Sequence, residues 1–378
     1  MGKCEQSVAL VAILWLLLQS GTGNVFAQST PSPSKETLEE KALLLAAGRE
    51  PENNQVLGSL GEYYLQKEKW QQSVRWLSKA YALSNADQSI GYDLAFAFMQ
   101  AGELESARRQ IQQMLMRTDT AKLHSLLAAV EDRRGNYVDA AKEYHRAAEL
   151  EPTESNIFDL ATFLLQHKKY VGFLDDSIKF FRYGVSKFPH SSQMTVGLGV
   201  ALYAANEYDE AVRVLCTAVD LDPSDSRPIQ FLGRATRVAP DLAKEVDRRL
   251  RDFAERYPNN ASTNYYYALG LWERGGEQGR NLDEIERLMR KAESLSPAWY
   301  EPHYQLGVLY EAEEKYPQAT REMQNAVKID PDFFPAHYRL AVLYNRAGRK
   351  SEAAAEALIV KRLKESDNKD SAVHDVTN

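Results

Sequence analysis

Three arginines and two histidines are the residues of this 378-residue chain whose types and spacing could bind an ion. Arg227, Arg234 and Arg237 lie in the stretch 226–260, which holds eight Lys or Arg against five Asp or Glu in a chain of net charge −7. Forked guanidinium contacts suit a carboxylate, a phosphate or an acidic peptide. The competing interpretation is that these arginines form ordinary surface pairs with nearby acids such as Glu245.

His303 and His337 are candidate metal ligands, because imidazole is a common metal ligand. The two histidines lie 34 residues apart, and equivalent positions in a repeated sequence explain that spacing without a metal. The sequence contains no HExxH, no CxxC and no glycine-rich phosphate loop after a strand. We therefore expect no metal, no cofactor and no enzymatic activity.

The elements that would carry these side chains are indicated by a repeat of 34 residues, which is clearest from Tyr300 to Phe333. The pattern there predicts one helix, a break near Glu314, a second helix and a stop at Pro331. The next stretch has the same spacing, with Leu306 matched by Leu340. A helical hairpin of this kind cannot bury its apolar face alone, so neighbouring copies must stack.

A small residue recurs at one position in the first helix of each predicted hairpin. Two helix axes can approach to about 8 Å only where the side chains between them are small. The second helices offer small residues as well, for example Ala107 and Ala319. The first-helix positions are Gly61, Ala95, Ala128, Ala161, Gly199, Gly233, Ala268, Gly307 and Ala341.

With these motifs the sequence resembles the tetratricopeptide repeat family. The resemblance implies an all-α fold, a right-handed superhelical solenoid of about nine tetratricopeptide-type helical hairpins with an N-terminal capping helix from Glu36. It also implies that a ligand lies along the concave face, on the first helix of each hairpin. Carried over position by position, it gives these partner-binding residues: Tyr92, Phe96, Arg227, Gln230, Arg234, Arg237, Tyr265, Tyr304, Val308, Tyr338 and Val342.

Four tyrosines in that set, Tyr92, Tyr265, Tyr304 and Tyr338, share one register. They would form a row of aromatic rings with polar tips, a composition that is favoured at binding surfaces. Such a row suits a protein or peptide partner, and the alternative is a glycan whose sugar rings stack on the tyrosines. We do not expect nucleic acid, because binding its phosphates requires many basic contacts and the chain is acidic.

Composition divides the chain into four segments. Residues 1–27 combine Lys3, an apolar run and small residues at 25 and 27, which predicts a secretory signal peptide and an exported protein. The alternative is an uncleaved anchor, although the run is short for a membrane span of about 20 residues. We predict that residues 28–35 are a disordered linker, that 36–364 form the repeat array and that 365–378 are a polar tail. After cleavage we expect no stable membrane span.

Cys216 would be the one cysteine left after cleavage, so no internal disulfide is expected. Its position among apolar residues of a helix predicts a buried, unreactive thiol. Longer connections at 168–175 and 275–281 interrupt the regular spacing. The second helix at 241–257 carries large apolar residues where small ones are usual, which predicts looser or differently angled packing there.

These observations predict an exported, non-enzymatic scaffold that binds a protein or peptide on its concave face and serves the assembly or organisation of envelope or secreted components. The alternative is a carbohydrate- or polysaccharide-binding component of an envelope export or remodelling apparatus. Leu358 and Ile359 in the last helix predict an apolar edge that a partner or a second copy would cover, so an oligomer is possible through the C-terminal edge.

Overall fold

The computed structural model describes residues 33–235, 240–274 and 281–376, with side chains for 38–233, 241–273 and 281–365. The predicted signal peptide, most of the predicted linker and Arg237 lie outside the described residues. The described residues form nineteen α-helices, one short 3₁₀ helix (Pro240–Leu242) and no strand. They belong to two compact units, which divide after Pro189.

Each unit is a succession of helical hairpins, and the helices of one hairpin contact each other closely. The first unit contains α1 (Pro33–Arg49), α2 (Asn54–Gln66), α3 (Trp70–Leu83), α4 (Gln88–Gln100), α5 (Leu104–Leu115), α6 (Ala121–Arg133), α7 (Tyr137–Leu150), α8 (Glu154–Gln166) and α9 (Phe173–Lys187). The second contains α10 (Ser192–Ala204), α11 (Tyr208–Leu221), α12 (Arg227–Ala235), α13 (Ala243–Arg256), α14 (Ala261–Arg274), α15 (Leu282–Leu295), α16 (Tyr300–Ala312), α17 (Tyr316–Ile329), α18 (Phe334–Arg346) and α19 (Lys350–Val376). The predicted all-α fold of nine hairpins after a single helix is confirmed.

The small residues of the first helices lie where the two helices of a hairpin meet. A Cβ atom added at Gly61, Gly199 or Gly307 would lie 2.6 Å from a side chain of the second helix. Where the second helix carries serine, the hydroxyl donates a hydrogen bond to the backbone of the first: Ser73 Oγ lies 2.9 Å from the Gly61 carbonyl. Ser177 Oγ lies 2.7 Å from the Ala161 carbonyl. These contacts fix the rotation of one helix against the other.

The hairpin of α12 and α13 differs, as its sequence suggested. A Cβ at Gly233 would lie 2.7 Å from Tyr266, which belongs to the next hairpin rather than to α13. The large residues of α13 are buried: Val246 and Leu250 are fully inside, and Phe253 is 3% exposed. At this glycine the first helix therefore approaches the next hairpin closely, instead of the second helix of its own hairpin.

The N-terminal helix α1 closes the first hairpin with a mixture of contacts. Ala47 is buried with Leu57 and Leu60, and Tyr64 donates a hydrogen bond of 2.8 Å to Glu40. Leu38 is 66% and Leu45 is 63% exposed, so the outer side of α1 carries apolar residues. The helix begins at Pro33, before the start predicted at Glu36.

At the other end α19 continues to Val376, beyond the boundary predicted at residue 364. The segment 365–376 contains neither glycine nor proline, the residue types that most often stop a helix. Among the residues that the structure describes, no helix combines the length and the hydrophobicity needed to cross a bilayer.

Replacing Gly61 by alanine should lower the free energy of unfolding by about 1–3 kcal/mol, because the new methyl group would overlap the Leu77 side chain. Urea unfolding followed by circular dichroism measures the change. The control is Gly58→Ala on the same helix, where the nearest atom, in Ile90, lies 3.8 Å away. That variant should be neutral or up to about 1 kcal/mol more stable, since alanine favours helix. Equal losses in both variants would contradict the close approach.

Candidate partner-binding surface

In the first unit the predicted surface residues lie on α4 and are only partly accessible. Tyr92 and Phe96 are half-buried. The ammonium group of Lys122 lies 3.8 Å from the centre of the Tyr92 ring, which places a cation over one aromatic face. The Phe96 ring meets Trp70 edge-on at 6.4 Å. A ligand would therefore meet Tyr92 as part of a cation–aromatic pair rather than as a bare ring.

The predicted anion site in the second unit begins with an arginine that already has an acidic partner. Arg227 donates from Nε to both oxygens of Asp225, at 3.0 and 2.9 Å, and its Nη2 lies 2.8 Å from Oδ2. Gln230 is half-buried on the same helix. Arg234 belongs to α12, but its side chain lies outside the described residues. For Arg227 the structure thus favours the pairing interpretation, with an acid two residues upstream.

The prediction that Tyr265 belongs to an accessible row of tyrosines is wrong. This residue is only 5% exposed. Its ring packs edge-on against Tyr266 at 4.9 Å, and its centre lies 4.7 Å from that of the tilted Trp299 ring. Trp299 precedes the first helix of the next hairpin and covers this position, so Tyr265 is part of the core and not of an accessible surface.

The last two hairpins bring the other predicted residues together. Tyr304 and Val308 are half-buried on α16, whereas Tyr338 is 57% and Val342 is 53% exposed on α18. Arg339 joins the two helices: its Nε donates to the Tyr304 hydroxyl at 3.2 Å and its Nη1 donates to Glu311 at 2.6 Å. The accessible apolar area of this predicted set is therefore concentrated on α18.

Sequence reasoning missed two members of this surface. Phe334 is 38% exposed and its ring stacks on Tyr338, with 14° between the planes and 6.5 Å between the centres. Arg346 is exposed at the other end of α18, with its guanidinium 3.8 Å from the centre of the Tyr316 ring. Both lie in the helical row of Tyr338 and Val342, four residues before and four residues after that pair. The signal was the spacing of four along one helix.

His303 and His337 are buried, and each pairs with a glutamate on the second helix of its own hairpin. Nδ1 of His303 lies 2.8 Å from Glu322, and Nδ1 of His337 lies 2.6 Å from Glu356. The same separation of 19 residues recurs at His124, whose Nδ1 lies 2.5 Å from Glu143. A repeated structural pair accounts for the spacing that suggested a metal.

Glu293, His303 and Glu322 place three potential ligand atoms within 4.8 Å of one another. An arginine already joins the two carboxylates: Arg290 donates to Glu293 and to Glu322, each at 2.7 Å. Burial alone would raise the pKa of Glu322, but the hydrogen bond from His303 and the charge of Arg290 outweigh it and lower that pKa below its ordinary value. The cluster is an ion-pair network in which a metal would have to displace a guanidinium.

The longer connection at 168–175 is filled by aromatic rings. His167 stacks on Tyr137 at 4.2 Å, and Tyr170 packs against Phe173 at 5.5 Å. Beside it, α7, α8 and α9 border an open groove of about 340 Å³ whose floor includes Leu160. The second connection, at 275–280, lies outside the described residues.

Two tetratricopeptide repeat family models match the chain, one at residues 64–130 and 310–377 and the other at 166–226, together more than half of it. No curated protein sequence matches the chain. The C-terminal part of a repeat-containing protein from Cytophaga hutchinsonii is 12% identical, with a TM-score of 0.49 over 74% of this chain and 97% of that one. Yeast Tom70 is 13% identical, with a TM-score of 0.46 over 96% of each chain. A human IFIT1 dimer with m7Gppp-AAAA is 17% identical, with a TM-score of 0.42 over 71% of this chain and 67% of that one.

The Glu322→Gln variant should be less stable than the wild type by about 1–3 kcal/mol at neutral pH, because Arg290 and His303 lose their anionic partner. The folded pKa of Glu322 lies below its ordinary value of 4.5. Its stabilisation is therefore complete above about pH 4.5 and is lost as the pH falls through the lower, folded pKa. Urea unfolding between about pH 5 and pH 3 should show the difference between the two proteins shrinking.

The matched control is Glu356→Gln, which removes a histidine partner that has no arginine within salt-bridge distance among the described residues. It should cost less stability, because the carboxylate it removes has one basic side chain as its partner rather than two. An equal loss in the two variants, or no pH dependence in Glu322→Gln, would mean that Arg290 does not set the charge state of Glu322.

Proposed function

This chain belongs to the tetratricopeptide repeat family, and from that premise we propose that it is a scaffold without enzymatic activity that binds a protein or peptide partner. Members of this family are typically non-catalytic scaffolds, and the fold fits a protein-binding role. The binding surface in this proposal is formed by first helices of the hairpins, above all α16 and α18. No nucleic acid is part of the proposal, in keeping with the net charge of −7.

The observation that carries this proposal is the accessible apolar area on α18. Tyr338 and Val342 are each more than half exposed, and Tyr304 and Val308 flank them on α16. Neighbouring exposed apolar side chains mark interaction surfaces, because a partner that buries them gains the free energy of removing them from water. Arg339 holds Tyr304 in place, so part of the surface is ordered before a partner arrives.

Export is the second part of the proposal. Its support is the sequence of residues 1–27, where an apolar run from Val8 to Leu18 precedes the small residues Val25 and Ala27. An exported scaffold would serve the assembly or organisation of envelope or secreted components. Self-association at the C-terminal edge is compatible with this role, since Leu358 is 69% exposed on α19.

The carbohydrate-binding alternative has less support than it had from the sequence. Stacking on sugar rings needs open aromatic faces. Tyr265 is buried, Tyr92 carries Lys122 over its ring, and Tyr304 is covered by Arg339 and Phe333. Of the four tyrosines only Tyr338 is more than half exposed.

A photoreactive phenylalanine at position 338, installed in the cells that produce the protein, should crosslink a partner protein on irradiation. The control is position 183 on α9, where Tyr183 is also exposed, at 49%, but lies on a second helix. Mass spectrometry of the products, taken from the exported and the retained fractions, measures both parts of the proposal. Crosslinks to polysaccharide alone would favour the alternative, and equal labelling at the two positions would contradict the assigned surface. Recovery of the chain only in the cytosol would refute export.

A further inference from the structure

The exposed face of α18 carries an inclined row of four side chains, which we call the terminal stripe: Phe334, Tyr338, Val342 and Arg346. Successive members are four residues apart and so lie on one face of the helix. The three apolar members are 38%, 57% and 53% exposed. The opposite face of α18 holds buried residues such as Leu340 and Tyr344, which pack within the unit. The terminal stripe is therefore a second apolar face that no described part of the chain covers.

The hairpin that carries the terminal stripe is basic. Residues 334–376, the whole hairpin, contain eight Lys or Arg and six Asp or Glu, a net charge of +2 in a chain of net charge −7. Several of these cations have acidic partners, for example Arg339 with Glu311 and Arg349 with Glu352. Arg346 and Lys350 are exposed and have no carboxylate within salt-bridge distance among the described residues. The stripe thus runs from an aromatic end to Arg346, and Lys350 follows four residues later at the start of α19.

We propose that the terminal stripe docks an amphipathic helix of a partner protein, with apolar side chains at four-residue spacing and a carboxylate that meets Arg346 and Lys350. This inference rests on the proposed function and names the class of partner for one part of that surface. From Phe334 to Arg346 the row is about 18 Å long at 1.5 Å per residue. Packing of four-apart ridges against the four-apart ridges of another helix is the commonest class of helix packing in globular proteins.

The charge of the terminal stripe favours a partner protein over a second copy of this chain as its occupant. The stripe itself contains no acidic residue, so two stripes packed together would leave Arg346 without a carboxylate in either direction. A foreign helix with an acidic residue beyond its apolar row would supply one. Opposite charges at the edge of such a contact set the orientation and the choice of partner more than the total affinity.

The test is a displayed library of helical 16-residue peptides, with four randomised positions at four-residue spacing, selected on the purified chain. The selected peptides should carry large apolar residues at three of the positions and Asp or Glu at the fourth, at one end of the row. Val342→Asp should weaken their binding at least tenfold. The matched control is Leu83→Asp, an exposed aliphatic residue at the end of α3 in the first unit, which should leave binding unchanged.

A charge swap gives the sharpest result. Arg346→Glu combined with Lys350→Glu should weaken binding of the selected peptides at least tenfold, and replacing the peptide's acid by lysine should restore it. If the peptides bind but ignore Val342→Asp, the inference is wrong while the proposed function stands. If binding requires Val342 but not the charges of Arg346 and Lys350, the inference that the partner helix is acidic is wrong. If no peptide binds and position 338 crosslinks no protein, both the inference and the proposed function are wrong. Binding only to vesicles containing anionic lipid would also overturn the inference.

Discussion

The close approach of two helix backbones within each hairpin is the constraint on which the rest of the structure depends. At Gly61, Gly199 and Gly307 the space that a methyl group would need is already filled by a leucine or methionine of the second helix. This contact fixes both the distance and the rotation of the two helices. The residues on the opposite side of the first helix are then directed outward at a set spacing. The exposure of Tyr338 and Val342 is therefore a consequence of Leu340 and Leu343 being held inside.

The architecture could be predicted from sequence because its signals are local. A small residue every 33 to 39 positions and a proline after many second helices need no knowledge of distant contacts. The surface could be predicted only in part. Tyr265 has the register of a surface residue, but Trp299 of the following hairpin covers it. Whether a position is accessible depends on the shape of the next hairpin, which a repeat pattern treats as constant.

Charge partners were the least predictable feature. The acids near the arginine cluster suggested pairs, yet Arg227 binds Asp225, which stands just before its own helix, while Glu245 contacts Arg248 and Arg249. Other long side chains reach across helices, as Arg339 does to Glu311, which is 28 residues away, and sequence proximity does not indicate such partners. The histidine–glutamate pairs are different, because both members sit at fixed places in one hairpin and recur wherever that hairpin has the two residues. Their separation of 19 residues could have been found in the sequence.

Cys216 gives the second unit a chemical property of its own. The thiol is 6% exposed on α11, and burial raises its pKa to about 11, as expected for an unreactive cysteine. A chain processed after Ala27 would keep this as its one sulfhydryl. An alkylating reagent could then reach it only while that hairpin is open. The rate of modification would report the frequency of local opening in the intact array, with no label added and no residue changed.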